Sequence, residues 1–368
     1  MRKLITYLLM AAAVMTVVIL FVVYRDEITE GGFISRLFGG GSESEEEGRI
    51  TFDEGNIFAL CGSRLVALSK DRLVLYDRNG TERDSRSVAF DSPALTVAGD
   101  KVLAYDRDGQ SVYAADADGI GNEEKIPVLN AAGNERGEYV LVTDEIGYRS
   151  VARLYDSKNR PRFQWKSGER MIWAASLSPS GRRMAVAAPT GESGQTVGLR
   201  LTFLDTSSEE ILGEAEIPDE LPLALASPDN NHVCVITESG VSFYTDDGLA
   251  LGRTGYGGQT LLGTPIATSE AVFLTLGRNT GGQYSQLICL SYTGAELGRV
   301  SFTEGPTAIA AEGRVCAVLE AGVLTRFTLD GGALAAEELG PCAARGLLVS
   351  SDGRILLLYS GYAEWYNG

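Results

Sequence analysis

The chain of 368 residues carries 32 Lys and Arg against 49 Asp and Glu, a formal net charge of -17 that repels nucleic-acid phosphates. No basic stripe with interleaved aromatics overrides that field, which argues against nucleic acid as a partner. Hydrophobic residues at 44% support a packed body, and 44 glycines against 11 prolines indicate many tight turns rather than a disordered chain.

Residues 1–3 (MRK) are a short basic start, and residues 4–24 (LITYLLMAAAVMTVVILFVVY) form an uncharged run of 21 residues. As a helix this run spans about 31 Å, the thickness of a bilayer's hydrocarbon core. A buried core helix would keep a polar stripe, and none is present. Ala11, Ala12 and Ala13 sit mid-segment and no small-residue cleavage site follows Tyr24, so an uncleaved signal anchor fits better than a signal peptide. Arg2 and Lys3 set the expected topology, with residues 1–3 in the cytoplasm and the remainder outside. Residues 25–48 mix Gly, Ser and Glu, with one short apolar patch, and read as an acidic tether.

From residue 49 to 368 one pattern recurs: a short apolar run, a turn, a second run ending in an aromatic, then Asp, Asn or Thr with Gly and a more polar strand. Clear copies begin at Arg64 (RLVALSKDRLVLYDRNGTE), Lys101 (KVLAYDRDGQSVYAADADG), His232 (HVCVITESGVSFYTDDG) and Arg314 (RVCAVLEAGVLTRFTLDG). Unit starts fall near Ile57, Ala94, Ala131, Ile172, Leu223, Thr260, Thr307 and Arg345, roughly 41 residues apart, the size of a four-stranded propeller blade. Runs such as ILLLY at Ile355 lack polar alternation, as expected of middle strands covered on both faces by neighbouring blades. The expected fold is therefore all-β: a single propeller of eight, or seven, four-stranded blades preceded by one transmembrane helix. A last unit that ends after three strands, and a lone strand at Arg49 to Asp53, predict closure of the ring by pairing of the two ends. No helical pattern follows residue 50, and a pair of β-sandwiches would need a linker that is absent.

The phrases SPSGRRMAVAA at Ser178, SPDNNHVCVIT at Ser227 and SSDGRILLLYS at Ser350 resemble the strand openings of TolB-type propellers. The chain as a whole resembles PQQ-like and WD40-like propeller repeats, and in particular an uncharacterised family of single-pass, membrane-anchored propeller proteins of Gram-positive bacteria. That resemblance implies a fold. Trp165, Trp173 and Trp365 do not recur in the Trp-ending phrase of quinone-binding repeats, so no cofactor is expected.

Candidate chemistry is sparse. His232 is the single histidine, which leaves no multi-His metal centre or His-dependent triad, and it reads as a turn or strand-edge residue. Asp116, Asp118, Gly119, Asn122 and Glu123 have the composition of a calcium loop without its spacing, and read, like Asp106 and Asp108, as Asp-Gly hairpins. The cysteines Cys61, Cys234, Cys289, Cys316 and Cys342 show no C-x-x-C spacing and read as small buried hydrophobes, with a Cys316 to Cys342 disulfide as the alternative. Trp173, in an expected innermost strand, either lines a central pocket or packs between blades. No catalytic, metal or cofactor residue is assigned.

These readings lead to an extracytoplasmic binding or scaffolding module held at the cell membrane by the N-terminal helix, with an envelope protein or glycan as partner. The alternatives are a carboxylate-based glycosidase or lyase, whose acids would come from different blades, and a ligand-sensing ectodomain. The last would need a partner helix, because three residues hold no output domain.

Overall fold

The structure is a computed structural model that describes residues 49–366 except 54, 192–197, 209, 279–284 and 340–343. The expected membrane helix at 4–24, the tether at 25–48 and Cys342 lie outside the described residues. Among the described residues there is no helix, and none long and apolar enough to cross a membrane.

Eight antiparallel sheets follow one another along the chain, each built from consecutive strands in order from the axis outward. The innermost strands are Ile57–Cys61, Pro93–Ala98, Val128–Gly133, Ala174–Leu177, Pro222–Ala226, Thr260–Leu261 continued by Ile266–Ala267, Ala308–Glu312 and Gly346–Val349. All eight begin within three residues of the starts expected from the repeats, which settles the blade number at eight. The eighth sheet takes its outermost strand from the other end of the described chain. Arg49–Thr51 pairs antiparallel with Tyr362–Trp365 in the register Arg49 to Glu364, Ile50 to Ala363 and Thr51 to Tyr362. The expected closure is thus present, although its strand ends at Thr51.

The apolar content is divided rather than pooled. Eight hydrophobic clusters form, and each joins one blade to the next, for example Leu154 and Phe163 of blade 3 with Ile172 and Met184 of blade 4. The cluster of Ile50, Leu65, Val74, Leu356 and Ala363 joins blade 8 to blade 1 and completes the ring. Second strands are covered from both sides: Lys101–Asp106, Tyr139–Thr143 and Val272–Gly277 are buried at every position. This explains their unbroken apolar runs.

The aromatic-Asp phrase of the repeat makes the turn between third and fourth strands. Asp77 Oδ1 accepts the N–H groups of Asn79 and Thr81 at 2.9 Å each, and Asp156 Oδ1 does the same for Lys158 and Arg160. Hydrogen bonds and the charge of Arg160 hold the Asp156 carboxyl down to about 2. A second element of this corner is a glycine near the start of the fourth strand in LG pairs at Gly213, Gly252 and Gly298. A Cβ on Gly213 would lie 2.0 Å from Asp247 O, on Gly252 2.7 Å from Thr293 O and on Gly298 2.3 Å from Leu329 O. The next blade's turn therefore seats its backbone on these glycines.

The chain direction defines two faces. On the leading face, innermost strands begin and second strands hand over to third strands; on the trailing face, innermost strands end. Arg49 starts the closing strand on the trailing side, beside Glu364.

Candidate functional site

On the trailing face the ends of all eight innermost strands surround an axial cavity of about 800 Å3. Phe58, Leu60, Leu95, Val97 and Leu348 form its apolar wall, and Asp100, Glu135 and Glu312 bring three carboxylates to its rim. Among the described residues none of the three forms an ion pair. Burial pushes the Glu312 carboxyl above its ordinary value, and the charge of Glu135 adds to the effect. Two hydroxyl groups of this mouth are engaged within the protein: Ser227 Oγ lies 2.7 Å from Ser176 Oγ, and Thr268 Oγ1 donates to Gly313 O at 2.7 Å.

On the leading face a second cavity of about 750 Å3 opens between blades 6, 7 and 8 and shares Ala311, Leu348 and Val349 with the first. Its origin is local. The innermost strand of blade 6 breaks between Leu261 and Ile266, where Gly263 takes φ +70° and Pro265 has no N–H to give to a ladder. Thr275 and Ser285 stand behind the break on one face of blade 6, since Ser285 is paired with Gly277, two residues along from Thr275. Both hydroxyls are buried, and neither has a hydrogen-bond partner among the described residues.

The leading face also carries exposed apolar side chains on blades 3 to 6. Met171 and Trp173 lie at the start of blade 4, and Leu221 and Leu223 at the start of blade 5. Ile146 and Tyr148 project from the blade 3 loop and Leu262 from blade 6. Trp173, 37% exposed, stands on the leading face just before the innermost strand of blade 4 and lines neither cavity.

The other residues singled out in the sequence are engaged structurally. His232 Nδ1 lies 2.7 Å from Asp229 Oδ2, and its ring stacks on Tyr292 with centroids 5.4 Å apart. Asp106 Oδ1 accepts Ser92 N–H at 2.7 Å, and Asp116 Oδ1 accepts Asp118 N–H at 2.9 Å, with Asp108 and Gly119 at positive φ. No group of three or more His, Cys, Asp or Glu side chains suited to a metal occurs among the described residues. Cys61, Cys234, Cys289 and Cys316 are buried free thiols. Burial raises Cys61 and Cys289 to about 11 and Cys234 and Cys316 to about 12, far from a reactive thiolate. The unpartnered hydroxyls and the rim carboxylates escaped the sequence reading. The Gly-Thr-Pro interruption at 263–265 is a local trace of the leading cavity alone.

A family model described as "Family of unknown function (DUF5711)" matches residues 42–334. No curated protein matches the chain in sequence. Among solved structures, the C-terminal WD40 domain of Sif2 superposes with a TM-score of 0.54 at 9% identity, covering 86% of this chain and 97% of that one. The quinohemoprotein alcohol dehydrogenase ADHIIG from Pseudomonas putida HK5 gives 0.52 at 11% identity, covering 84% and 70%. The Neurospora crassa Pan2 WD40 domain gives 0.50 at 12% identity, covering 75% and 89%. At these identities the likeness is one of fold.

Proposed function

The chain belongs to the DUF5711 family of unknown function, and we propose that it is a binding or scaffolding module, an eight-bladed propeller held at the cell surface by its N-terminal helix to dock an envelope protein. The observation that carries this reading is the apolar patch of the leading face. Trp173, Leu223, Met171 and Leu221 are more than a third exposed on two adjacent blades. Clustered apolar side chains of this size on a strongly charged protein mark an interaction surface. Arg49 begins the closing strand on the opposite, trailing face. The uncharged run at 4–24 and the basic residues before it support the anchor and its orientation.

The test is crosslinking of the full-length protein in its native membrane, followed by affinity purification and mass spectrometry. A Trp173→Ala/Leu223→Asp variant and the helix with tether alone serve as controls. A partner captured by the wild type and lost from both controls is the expected result. Equal capture by the double variant would remove the leading face from the account.

A second reading, a carboxylate-based glycosidase or lyase, draws on one observation: the raised Glu312 carboxyl at a cavity rim shared with Glu135 and Asp100. A carboxyl raised above its ordinary value, with further carboxylates at the same rim, is the kind of group a general acid requires. Release of reducing ends from a glycan panel, abolished in Glu312→Gln, is its signature. Binding without turnover would dismiss it.

A further inference from the structure

We infer that a groove between blades 7 and 8, on the trailing face, binds an α-amino acid with an aliphatic side chain, its carboxylate on Arg326 and its ammonium on Glu312. The site is separate from the apolar patch of the leading face, and it stands or falls without it.

The groove marks a departure from the repeat. In blades 4, 5 and 6 the fourth strand opens on a bulge whose glycine faces an apolar residue of the third strand: Gly213 opposite Phe203, Gly252 opposite Phe243 and Gly298 opposite Cys289. The turn of the following blade then fills the corner, its backbone seated on that glycine. Blade 7 keeps the bulge between its third strand, Val323–Thr328, and its fourth, Ala333–Glu338, but sets Ala335 opposite Arg326. Blade 8 has no turn to offer, because its third and fourth strands, Tyr362–Trp365 and Arg49–Thr51, come from opposite ends of the described chain. A groove of about 580 Å3 lined by Arg326 and Ala335 lies here, within the ~300–1,000 Å3 typical of small-molecule sites.

Its charges select the ligand. Arg326 is half-buried and makes no ion pair or hydrogen bond among the described residues. Two carboxylates near it are engaged: Asp352 pairs with Arg354 at 2.6 Å and accepts the Ser350 hydroxyl, and Glu337, outside the groove, accepts the Tyr366 hydroxyl. The remaining charged group of the lining is Glu312, likewise without an ion pair among the described residues. Glu312 ends the innermost strand opposite Val315, and Arg326 lies opposite Ala317, so both share one face of the sheet. They are two strands and two residues apart, which puts their Cα atoms about 12 Å from each other. The two side chains thus point one charge of each sign into a common space without meeting. An α-amino acid carries the complementary pair on adjacent atoms: its carboxylate suits the planar fork of a guanidinium, and its ammonium suits a carboxylate. Val315, Leu334, Val349 and Ile355 supply apolar walls for its side chain, with Leu334 58% exposed in the absence of a ligand. A simple fatty acid would leave Glu312 unmatched, and an amine would leave Arg326 unmatched.

The experiment is titration calorimetry on the full-length chain in detergent, with L-leucine and L-methionine as probes. At least one is expected to bind with a Kd of about 1 mM or tighter. Leucinamide, which lacks the carboxylate, and 4-methylpentanoate, which lacks the ammonium, should bind about ten-fold more weakly or worse. Arg326→Met and Glu312→Gln should each weaken the amino acid by a similar factor, and Arg326→Met should no longer distinguish leucine from leucinamide. Melting curves of both variants, expected at or above the wild-type temperature, show that the loss is not unfolding. Trp173→Ala/Leu223→Asp, on the other face, should bind as wild type does, so this test and the crosslinking test fail separately. The proposal is overturned if neither amino acid binds, if leucinamide binds as tightly as leucine, or if Glu312→Gln and Arg326→Met bind as wild type does.

Discussion

Removing the Ile50 side chain is expected to weaken the entire propeller rather than one edge of it. Ile50 is fully buried in the cluster with Leu65, Val74, Tyr76, Leu356 and Ala363, and its strand is held to Tyr362–Trp365 in register, with Phe52 N–H donating to Gly361 O at 2.9 Å just beyond. A buried Ile→Ala change costs about 2–5 kcal/mol through lost transfer energy and the cavity left behind. In a domain this large, 1 kcal/mol moves the midpoint by about 2 °C, so Ile50→Ala should lower Tm by roughly 4–10 °C in a single transition. The assay is thermal circular dichroism of the full-length protein, with Thr51→Ala, an exposed neighbour, as control. Deletion of Arg49 to Asp53 should be more severe, since it also exposes the edge of Tyr362–Trp365. An unchanged midpoint in Ile50→Ala, or a small early step followed by the wild-type transition, would show that the ring does not depend on its closing strand.

Protease added to intact cells should digest the propeller while a cytoplasmic marker survives; an intact propeller beside a cleaved surface protein would reverse the proposed topology. Gly298→Ala should cost about 1–3 kcal/mol in urea unfolding, because its Cβ would meet backbone 2.3 Å away at Leu329 O, while Gly168→Ala, with no atom within 4 Å, should stay within about 0.5 kcal/mol. Glu312→Gln tests the trailing rim through pH. A carboxyl whose folded pKa lies above its unfolded value loses stability for the fold as pH rises through that interval, so at pH 7 the ionised Glu312 is a liability. The variant should therefore melt at or above wild type at pH 7, with the difference vanishing below about pH 4, where the carboxyl is protonated in both states. A variant less stable at pH 7 would mean that Glu312 holds a favourable partner.

The blades were legible because what makes them is local and repeated. A second strand such as Val272–Gly277 must be apolar at almost every position to sit between two neighbours, and a turn such as Asp77 to Thr81 carries its own cap within five residues. Each unit therefore repeats its own instructions. The LG pairs at Gly213, Gly252 and Gly298 belong to the same category and were visible in principle, but the atom that requires each glycine is a backbone carbonyl in the next blade, more than thirty residues on. Sites fail this locality altogether. The leading cavity needs Thr275 and Ser285 from blade 6, Thr307 from blade 7 and Leu348 from blade 8, and nothing in the residues around any one of them marks it apart from ordinary strand sequence. Trp173 shows the converse. It was noticed because it is a Trp, yet its burial depends on where the innermost strand starts, and a start at Ala174 leaves it on the rim. In a propeller the sequence distance between parts of one site is set by whole blades, so the trace to look for is a departure from the repeat. Residues 263–265 are such a departure: they interrupt the innermost strand of blade 6 between Leu262, whose N–H still donates to Thr275 O, and Ile266, and a cavity opens beside the break.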